Sequence, residues 1–210
     1  MVDFLHKTKE CLLIILFVVG ILVTNGCNKH KELRGTLNGH EWVDLGLRSG
    51  TLWATENIKL YDQSIYFSTY FAWGETSPKE AYQLDNYTYS DKPVILPTNA
   101  DAATVNWGEG WRMPTKSEFE ELLKKCTRTW GPGSGMCFTG PNGNSIILPA
   151  EGYAFGRQSW DLSKIGFYWS SSLYSDDRAY FLGFIPDNVG VQEYARYYGY
   201  SIRPVCSRRK

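Results

Sequence analysis

The stretch W-R-M-P-T-K-S-E-F-E-E-L-L-K-K-C, residues 111–126, carries the clearest structural signal in this chain. Thr115 can cap the amino end of a helix, and Glu118 three residues later completes a capping box. Together with the apolar spacing that follows, this predicts one amphipathic helix over residues 115–125. Its apolar face consists of the residues at positions i, i+3, i+4 and i+7, namely Phe119, Leu122, Leu123 and Cys126.

Strand patterns surround this helix on both sides. Before it, H-E-W-V-D-L (40–45) and G-T-L-W-A-T-E-N-I (50–58) alternate well enough between apolar and polar residues to predict two strands. After it the chain reads as strand and turn, with Asn142 and Gly143 as a tight hairpin turn. The predicted fold class is therefore α+β with one main helix. The later strands are predicted at M-C-F-T (136–139), S-I-I-L-P (145–149), Y-W-S-S-S (168–172), A-Y-F-L-G-F (179–184), V-G-V (189–191) and Y-S-I-R-P-V (200–205).

Residues 61–105 interrupt this pattern. They are rich in Tyr, Ser, Asp, Asn and Pro, and only Y-F-A-W-G (70–74) is compactly apolar. The composition predicts a long irregular insert over the core. Inserts of this kind usually carry function or decorate a rigid scaffold.

Composition limits the number of domains and the kinds of partner. The 210 residues are 43% hydrophobic and 21% charged, which suffices for one globular domain. The 22 basic and 22 acidic residues cancel, so the chain lacks the basic surface that a nucleic-acid binder needs. Aromatic residues reach 15%, which is more than a core of this size requires. We therefore expect exposed rings, and exposed rings usually bind a partner.

The amino-terminal segment is predicted to direct export. The apolar run at residues 11–23 has the length of a signal-peptide core and is shorter than the roughly 20 residues of a spanning helix. It ends in T-N-G-C (24–27), where the small residue before Cys27 resembles the bacterial lipobox, whose cysteine is lipid-modified and becomes the mature amino terminus. Thr24 stands where leucine is commoner. A secreted protein cut near the same place, or a retained amino-terminal anchor, therefore stays open.

Two or more acyl chains on Cys27 would hold the protein at a membrane, because stable anchoring takes more than one chain. The chain accordingly divides into four predicted parts. The parts are a signal peptide (1–26), the lipidated cysteine with a polar tether (27–37), the domain (38–206) and a basic tail (207–210).

Three cysteines remain in the domain: Cys126, Cys137 and Cys206. An odd number leaves at least one thiol free or paired outside the chain, and an exported protein can form disulfides. The favoured pair is Cys126 with Cys137, which would close a short loop. No metal site is predicted, because the chain has no C-x-x-C and because His30 and His40 lie far from these cysteines in sequence.

Two groups of motifs in the domain carry a family resemblance. W-R-M-P-T-K-S-E-F-E-E-L (111–122) and the closing G-Y-S-I-R-P-V (199–205) are similar to segments of the formylglycine-generating-enzyme branch of C-type-lectin-like folds. A longer ordered set resembles the Fibrobacter succinogenes major paralogous domain, abundant in surface lipoproteins of Bacteroides-type bacteria, and covers essentially residues 38–206. This set consists of residues 41–57, 70–76, 111–115, 143–153, 168–172 and 201–205.

The resemblance implies a C-type-lectin-like fold in which the first and last strands pair, here V-D-L (43–45) with S-I-R-P-V (201–205). It also implies that residues 181–198 lie on an exposed binding face, which in some relatives is diversified by retroelements. Tyrosines on such a face act like those of an antibody paratope, as stiff rings with a polar tip. The alternative is that these rings pack on the insert. The expected ligand contacts are Phe181, Ile185, Gln192, Glu193, Tyr194 and Tyr198.

The resulting prediction is a non-catalytic binding module, lipid-anchored in the outer membrane at the cell surface, for an extracellular protein or glycan. No catalytic residue, cofactor or metal is expected. The oxidase chemistry of the formylglycine branch needs a reactive cysteine pair that Cys126 and Cys206 do not match by position. I-P-D-N (185–188) resembles the sugar-binding triplet of calcium-dependent lectins, but Ile185 offers no oxygen ligand, so it predicts a hairpin turn. The alternative function is a structural or fimbria-associated surface component.

Overall fold

In this computed structural model, which describes residues 33–60, 69–131 and 135–208, a five-stranded antiparallel sheet contains both ends of the domain. The predicted signal peptide (1–26) and lipidation site Cys27 lie outside the described residues. In spatial order the sheet consists of β1 (Arg34–Leu37), β2 (His40–Asp44), β3 (Thr51–Ala54), β13 (Val205–Ser207) and β4 (Trp111–Arg112).

Three smaller antiparallel sheets and two helices complete the described part of the chain. This sheet-rich α+β architecture confirms the predicted fold class at that level. The helices are α1 (Ala102–Trp107) and α2 (Lys116–Lys125). The smaller sheets are β5 (Thr127–Gly131), β6 (Gly135–Thr139) and β7 (Ser145–Pro149); β8 (Tyr153–Phe155) and β9 (Gln158–Trp160); and β10 (Gly166–Leu173), β11 (Arg178–Ile185) and β12 (Asn188–Ala195).

The closing strand β13 does not pair with the strand that the resemblance implied. Val205 lies opposite Trp53 of β3 on one side and Arg112 of β4 on the other. The V-D-L segment belongs largely to β2, which is one strand further out. The predicted pairing with V-D-L is therefore wrong, although both strands share one sheet. β3 takes the central place because all four of its residues are buried.

The predicted domain boundaries shift outward at both ends. Arg34–Leu37 form β1, so the last four residues of the predicted tether belong to the sheet. At the other end, Ser207 pairs with Thr51, and Arg208 forms an ion pair with Asp44. Of the predicted strand 200–205, only Val205 belongs to the regular strand β13. Tyr200 and Ser201 make isolated bridges instead.

The main helix α2 forms as predicted. Thr115 is its amino cap, and the reciprocal hydrogen bonds of the capping box with Glu118 are both present. Phe119 and Leu122 are fully buried and pack with the β10–β11–β12 sheet and with Trp53 of the five-stranded sheet. The six-residue helix α1 was not predicted. It begins at Asp101, whose carboxylate accepts hydrogen bonds from two amides of its first turn.

The hairpin of β6 and β7 forms where it was predicted, but its turn is centred on Pro141 and Asn142, one residue before the predicted Asn142–Gly143 pair, because the amide of Gly143 donates to the carbonyl of Gly140 at 3.0 Å. Thr139 pairs with Ser145, and the turn lies within the five residues between them. Gly143 has a φ of 85°, a conformation that glycine adopts without strain.

Cys126, Cys137 and Cys206 are free thiols, so the favoured pairing of Cys126 with Cys137 is wrong. Cys126 ends α2 and Cys137 lies in β6, where both pack as core or partly buried residues.

The described part of the predicted insert is irregular and well packed up to residue 101, whereas its last four residues, 102–105, belong to α1. Residues 69–101 contain one short 3-10 turn, Leu84–Asn86, and no strand. Phe71 and Tyr200 exchange two backbone hydrogen bonds of 3.0 and 3.1 Å. Trp73 Nε1 donates to the carbonyl of Ser170 in β10 at 2.8 Å. The insert therefore covers one face of the β10–β11–β12 sheet, opposite the face that α2 covers.

Arg203, just before β13, joins elements that are far apart in sequence. Its side chain is 1% exposed. The guanidinium donates to Asn57 Oδ1 at 2.8 Å, to the carbonyl of Ala54 in β3 at 2.9 Å and to that of Ile147 in β7 at 2.8 Å. Asn57 Nδ2 in turn donates to Glu151 Oε2 at 2.7 Å. A buried charge is tolerated when its hydrogen bonds are satisfied, and this one fixes three segments at one point.

A second buried polar cluster surrounds Glu118. Its carboxylate accepts two bonds from the Arg112 guanidinium, at 2.6 and 2.7 Å, and one from Thr51 Oγ1 at 2.7 Å. Burial alone would raise the pKa of Glu118, but the hydrogen bonds and charge of Arg112 outweigh burial and lower the pKa to about 2. The cluster ties α2 to β3 and β4 with a carboxylate that stays ionised at neutral pH.

We expect Glu118→Gln to destabilise the protein by about 2–3 kcal/mol at neutral pH. Because the folded pKa of Glu118 lies below its unfolded value, this contribution is complete above about pH 5 and disappears as the pH falls toward 2. Urea unfolding of wild type and variant at about pH 7 and about pH 3 measures the difference. Glu120→Gln on the exposed face of α2 is the matched control. A destabilisation that stays constant over this range would contradict the assignment.

Candidate functional site

The hairpin of β11 and β12 places the predicted ligand contacts on its two faces. Phe181 pairs with Gln192 and Ala179 with Tyr194. Paired residues of antiparallel strands project to the same side, and successive residues alternate. Gln192 and Tyr194 therefore share one face, while Glu193 projects to the opposite one.

Phe181 is not a surface residue. It is 3% exposed, and its ring lies 4.9 Å from that of Phe167 and 5.0 Å from that of Tyr200. β11 is the middle strand of its sheet, and residues 196–204 between β12 and β13, here called the closing segment, cover this part of its face. The expectation that Phe181 contacts a ligand is therefore wrong.

Tyr194 and Tyr198 form part of an exposed aromatic surface. Tyr194 is 44% exposed, and its ring meets that of Tyr198 edge to face at 4.7 Å. On the other side, Tyr198 stacks with Phe155 at 4.8 Å and an interplanar angle of 13°. Phe155 is itself 41% exposed. We call Phe155, Tyr194 and Tyr198 the aromatic face, and the exposed Gln192 lies beside Tyr194 in the same strand.

The structure separates two predicted contacts from this face. Ile185 is exposed at the tip of the hairpin, where it pairs with Asn188. This end of the hairpin is about 20 Å from Tyr194, at roughly 3.3 Å per residue along the strand. Glu193 lies on the helix side of the sheet, with Oε1 3.7 Å from Arg178 Nη1. The I-P-D-N segment is a two-residue hairpin turn, as predicted.

Sequence reasoning missed two contributors to this surface. Phe155 comes from the β8–β9 hairpin, which no motif indicated. A cleft of about 590 Å³ also opens beside Tyr194, between β12, the β10–β11 turn and the insert. The only sequence signal for the cleft was the tyrosine-rich composition of the insert.

Arg196 fixes the wall of this cleft. It is buried, and its guanidinium donates to the hydroxyl of Tyr87 and to the carbonyls of Tyr89, Asp91 and Asp176, each at 2.8 Å. The guanidinium carbon also lies 4.7 Å from the ring centre of Trp73. The contacts of Arg196 hold the insert against the end of β12.

The two buried thiols, Cys126 and Cys206, are not activated for reaction. Burial raises the pKa of the Cys126 and Cys206 thiols to about 11, so both stay protonated at neutral pH and are poor nucleophiles. Among the described residues, no cluster of three His, Cys, Asp or Glu side chains is arranged to hold a metal ion. Across residues 33–60, 69–131 and 135–208, no helix has both the length and the hydrophobicity to cross a membrane.

Comparison with protein-family models, with curated proteins and with solved structures found no match.

We expect Arg196→Lys to destabilise the protein by about 2–4 kcal/mol, because a lysine cannot reach all four oxygens and each hydrogen bond to a charged group is worth about 1.5–3 kcal/mol. Urea unfolding measures the loss, and faster amide exchange in residues 84–92 locates it in the insert. Arg178→Lys, which changes an exposed arginine, should cost less than about 1 kcal/mol. Equal effects of the two substitutions would contradict the role of Arg196.

Proposed function

We propose that this protein is a cell-surface lipoprotein whose domain binds an extracellular protein or glycan through the aromatic face. The observation that carries the proposal is the exposure of Tyr194 and Phe155, each by more than 40%, on either side of the ring of Tyr198. Exposed apolar side chains that lie next to one another mark an interaction site, whereas isolated ones do not. The proposed role is binding, without a reaction.

Rigidity of the rings supports a binding role. Tyr198 also approaches Tyr153 and Tyr200, at 6.1 and 6.4 Å between ring centres, and Tyr200 is buried. The exposed rings thus continue an aromatic core instead of projecting from a mobile loop. A side chain already held in place loses little conformational entropy on binding, which favours affinity.

We infer a C-type-lectin-like architecture of the Fibrobacter succinogenes major paralogous type. It is supported by the ordered motifs and by the presence of the first and last strands in one sheet. In such an architecture the segment before the closing strand supplies the ligand contacts, and the aromatic face contains Tyr194 and Tyr198 of that segment.

Anchoring at the outer membrane through acyl chains on Cys27 is likewise proposed. It is supported by the apolar run at residues 11–23 and by the T-N-G-C sequence that follows it. Lipidation at Cys27 would leave only a few residues before β1 begins at Arg34. The domain would then work close to the membrane surface.

A structural or fimbria-associated role is the second candidate. Burial of Phe181 beneath the closing segment, and of Tyr200 against Phe71 of the insert, favours it, because part of the aromatic stretch serves packing. The exposed aromatic face is the feature that this alternative does not explain.

The binding proposal predicts that Tyr194→Ala and Tyr198→Ala each weaken binding at least about tenfold, the effect of removing an aromatic anchor worth at least 1–2 kcal/mol. The measurement is a screen of the full-length protein, purified in detergent, on glycan and extracellular-protein arrays. Tyr174→Ala is the control, because Tyr174 is 51% exposed and lies outside the aromatic face. Equal array signals from wild type and both variants would remove the site assignment.

A further inference from the structure

The cleft beside Tyr194 has a lining that selects the chemistry of its ligand. Its lining includes Tyr194, the insert residues Tyr87, Tyr89 and Ser90, and Asp177 of the β10–β11 turn. Its volume of about 590 Å³ lies within the range of small-molecule sites, roughly 300–1,000 Å³. Tyr194 belongs to both the cleft and the aromatic face, so a ligand in the cleft extends the surface already described.

A cationic ligand is disfavoured because a cation of the protein already lies against the aromatic rings of the insert. Cations bind to the electron-rich faces of aromatic rings. Arg196 already occupies this position, with its guanidinium carbon 5.4 Å from the ring centre of Tyr87 and 5.5 Å from that of Tyr89. A second cation beside these rings would be repelled by the buried arginine.

An anionic ligand is disfavoured because the positively charged side chains around the cleft already pair with groups of the protein. All four hydrogen bonds of Arg196 go to protein oxygens. Arg178 lies 3.7 Å from Glu193, and Lys92 is paired with Asp176.

Asp177, in contrast, is exposed, and its carboxylate accepts one hydrogen bond, from Ser175 at 2.8 Å. A carboxylate has about four acceptor positions, so Asp177 can accept further hydrogen bonds from a ligand.

We propose that this cleft binds a neutral oligosaccharide. Sugar hydroxyl groups would donate to Asp177 and exchange hydrogen bonds with Ser90, while the C–H face of a pyranose ring would stack on Tyr194. A neutral polyol can donate hydroxyl protons to the remaining acceptor positions of Asp177 and stack on the exposed ring of Tyr194, while the buried charge of Arg196 keeps its own partners. The inference rests on the proposed binding function and names the ligand class of its surface.

The test measures binding of defined trisaccharides to the full-length protein by isothermal titration calorimetry. The neutral probes are maltotriose, cellotriose, xylotriose, mannotriose and N,N′,N″-triacetylchitotriose. Chitosan trimer is the cationic probe and trigalacturonic acid the anionic one. We expect at least one neutral probe to bind, and Asp177→Ala to weaken its binding about tenfold, as expected for the loss of a hydrogen bond to a charged group. Ser90→Ala should weaken it to a smaller extent. Asp187→Ala, at the tip of the β11–β12 hairpin, should leave it unchanged.

Two outcomes would overturn the inference. One is that no neutral probe binds, whether or not a charged probe does. The other is that a neutral probe binds equally well to wild type and Asp177→Ala. If binding then still depends on Tyr194 and Tyr198, the binding function stands and the cleft assignment falls. If trisaccharide binding depends on Asp177 while the array signals do not depend on Tyr194 or Tyr198, the cleft stands and the aromatic face falls.

Discussion

Burial of the Arg203 guanidinium is the constraint on which the rest of the structure depends. The charge sits in the core, where it satisfies carbonyls of β3 and β7 and the amide of Asn57, which links it to Glu151. Burial lowers the pKa of Arg203, but an arginine remains charged in proteins. Because an unsatisfied buried charge is very unfavourable, the closing segment can occupy only the position in which these oxygens surround it.

That position determines where the aromatic face lies. Once Arg203 is fixed, the preceding residues pass between β10 and the insert, where Ser201 and Trp169 are joined by a backbone hydrogen bond of 3.1 Å. Tyr200 is buried there, and Tyr198 emerges next to Phe155. Arg196 then ties the insert to the end of β12. Two arginines of the closing segment thus fix both the base of the aromatic face and the wall of the cleft beside it.

Local signals in the sequence predicted the elements well, and non-local contacts explain what it missed. The capping box of Thr115 and Glu118 is a short-range pattern, so the main helix and its boundaries were predictable. The partner of the closing strand was not, because strand pairing depends on which strand is buried on both faces, and both candidate strands had suitable patterns. The alternation of apolar and polar residues also could not show that the closing segment covers Phe181 but leaves Tyr194, on the same sheet face, exposed. The cleft was unpredictable for a related reason, since it depends on the path of an irregular insert that has no periodicity.

Native-state hydrogen exchange tests most directly whether the closing segment is an integral part of the core. The amides of Tyr200 and Ser201 donate to the carbonyls of Phe71 and Phe167 at 3.1 Å each. If Arg203 locks this segment, both amides exchange only by global unfolding, with the same free energy and denaturant dependence as the amide of Leu122, which is hydrogen-bonded within α2. Exchange of these two amides through a separate opening of lower free energy, while Leu122 stays protected, would contradict the account.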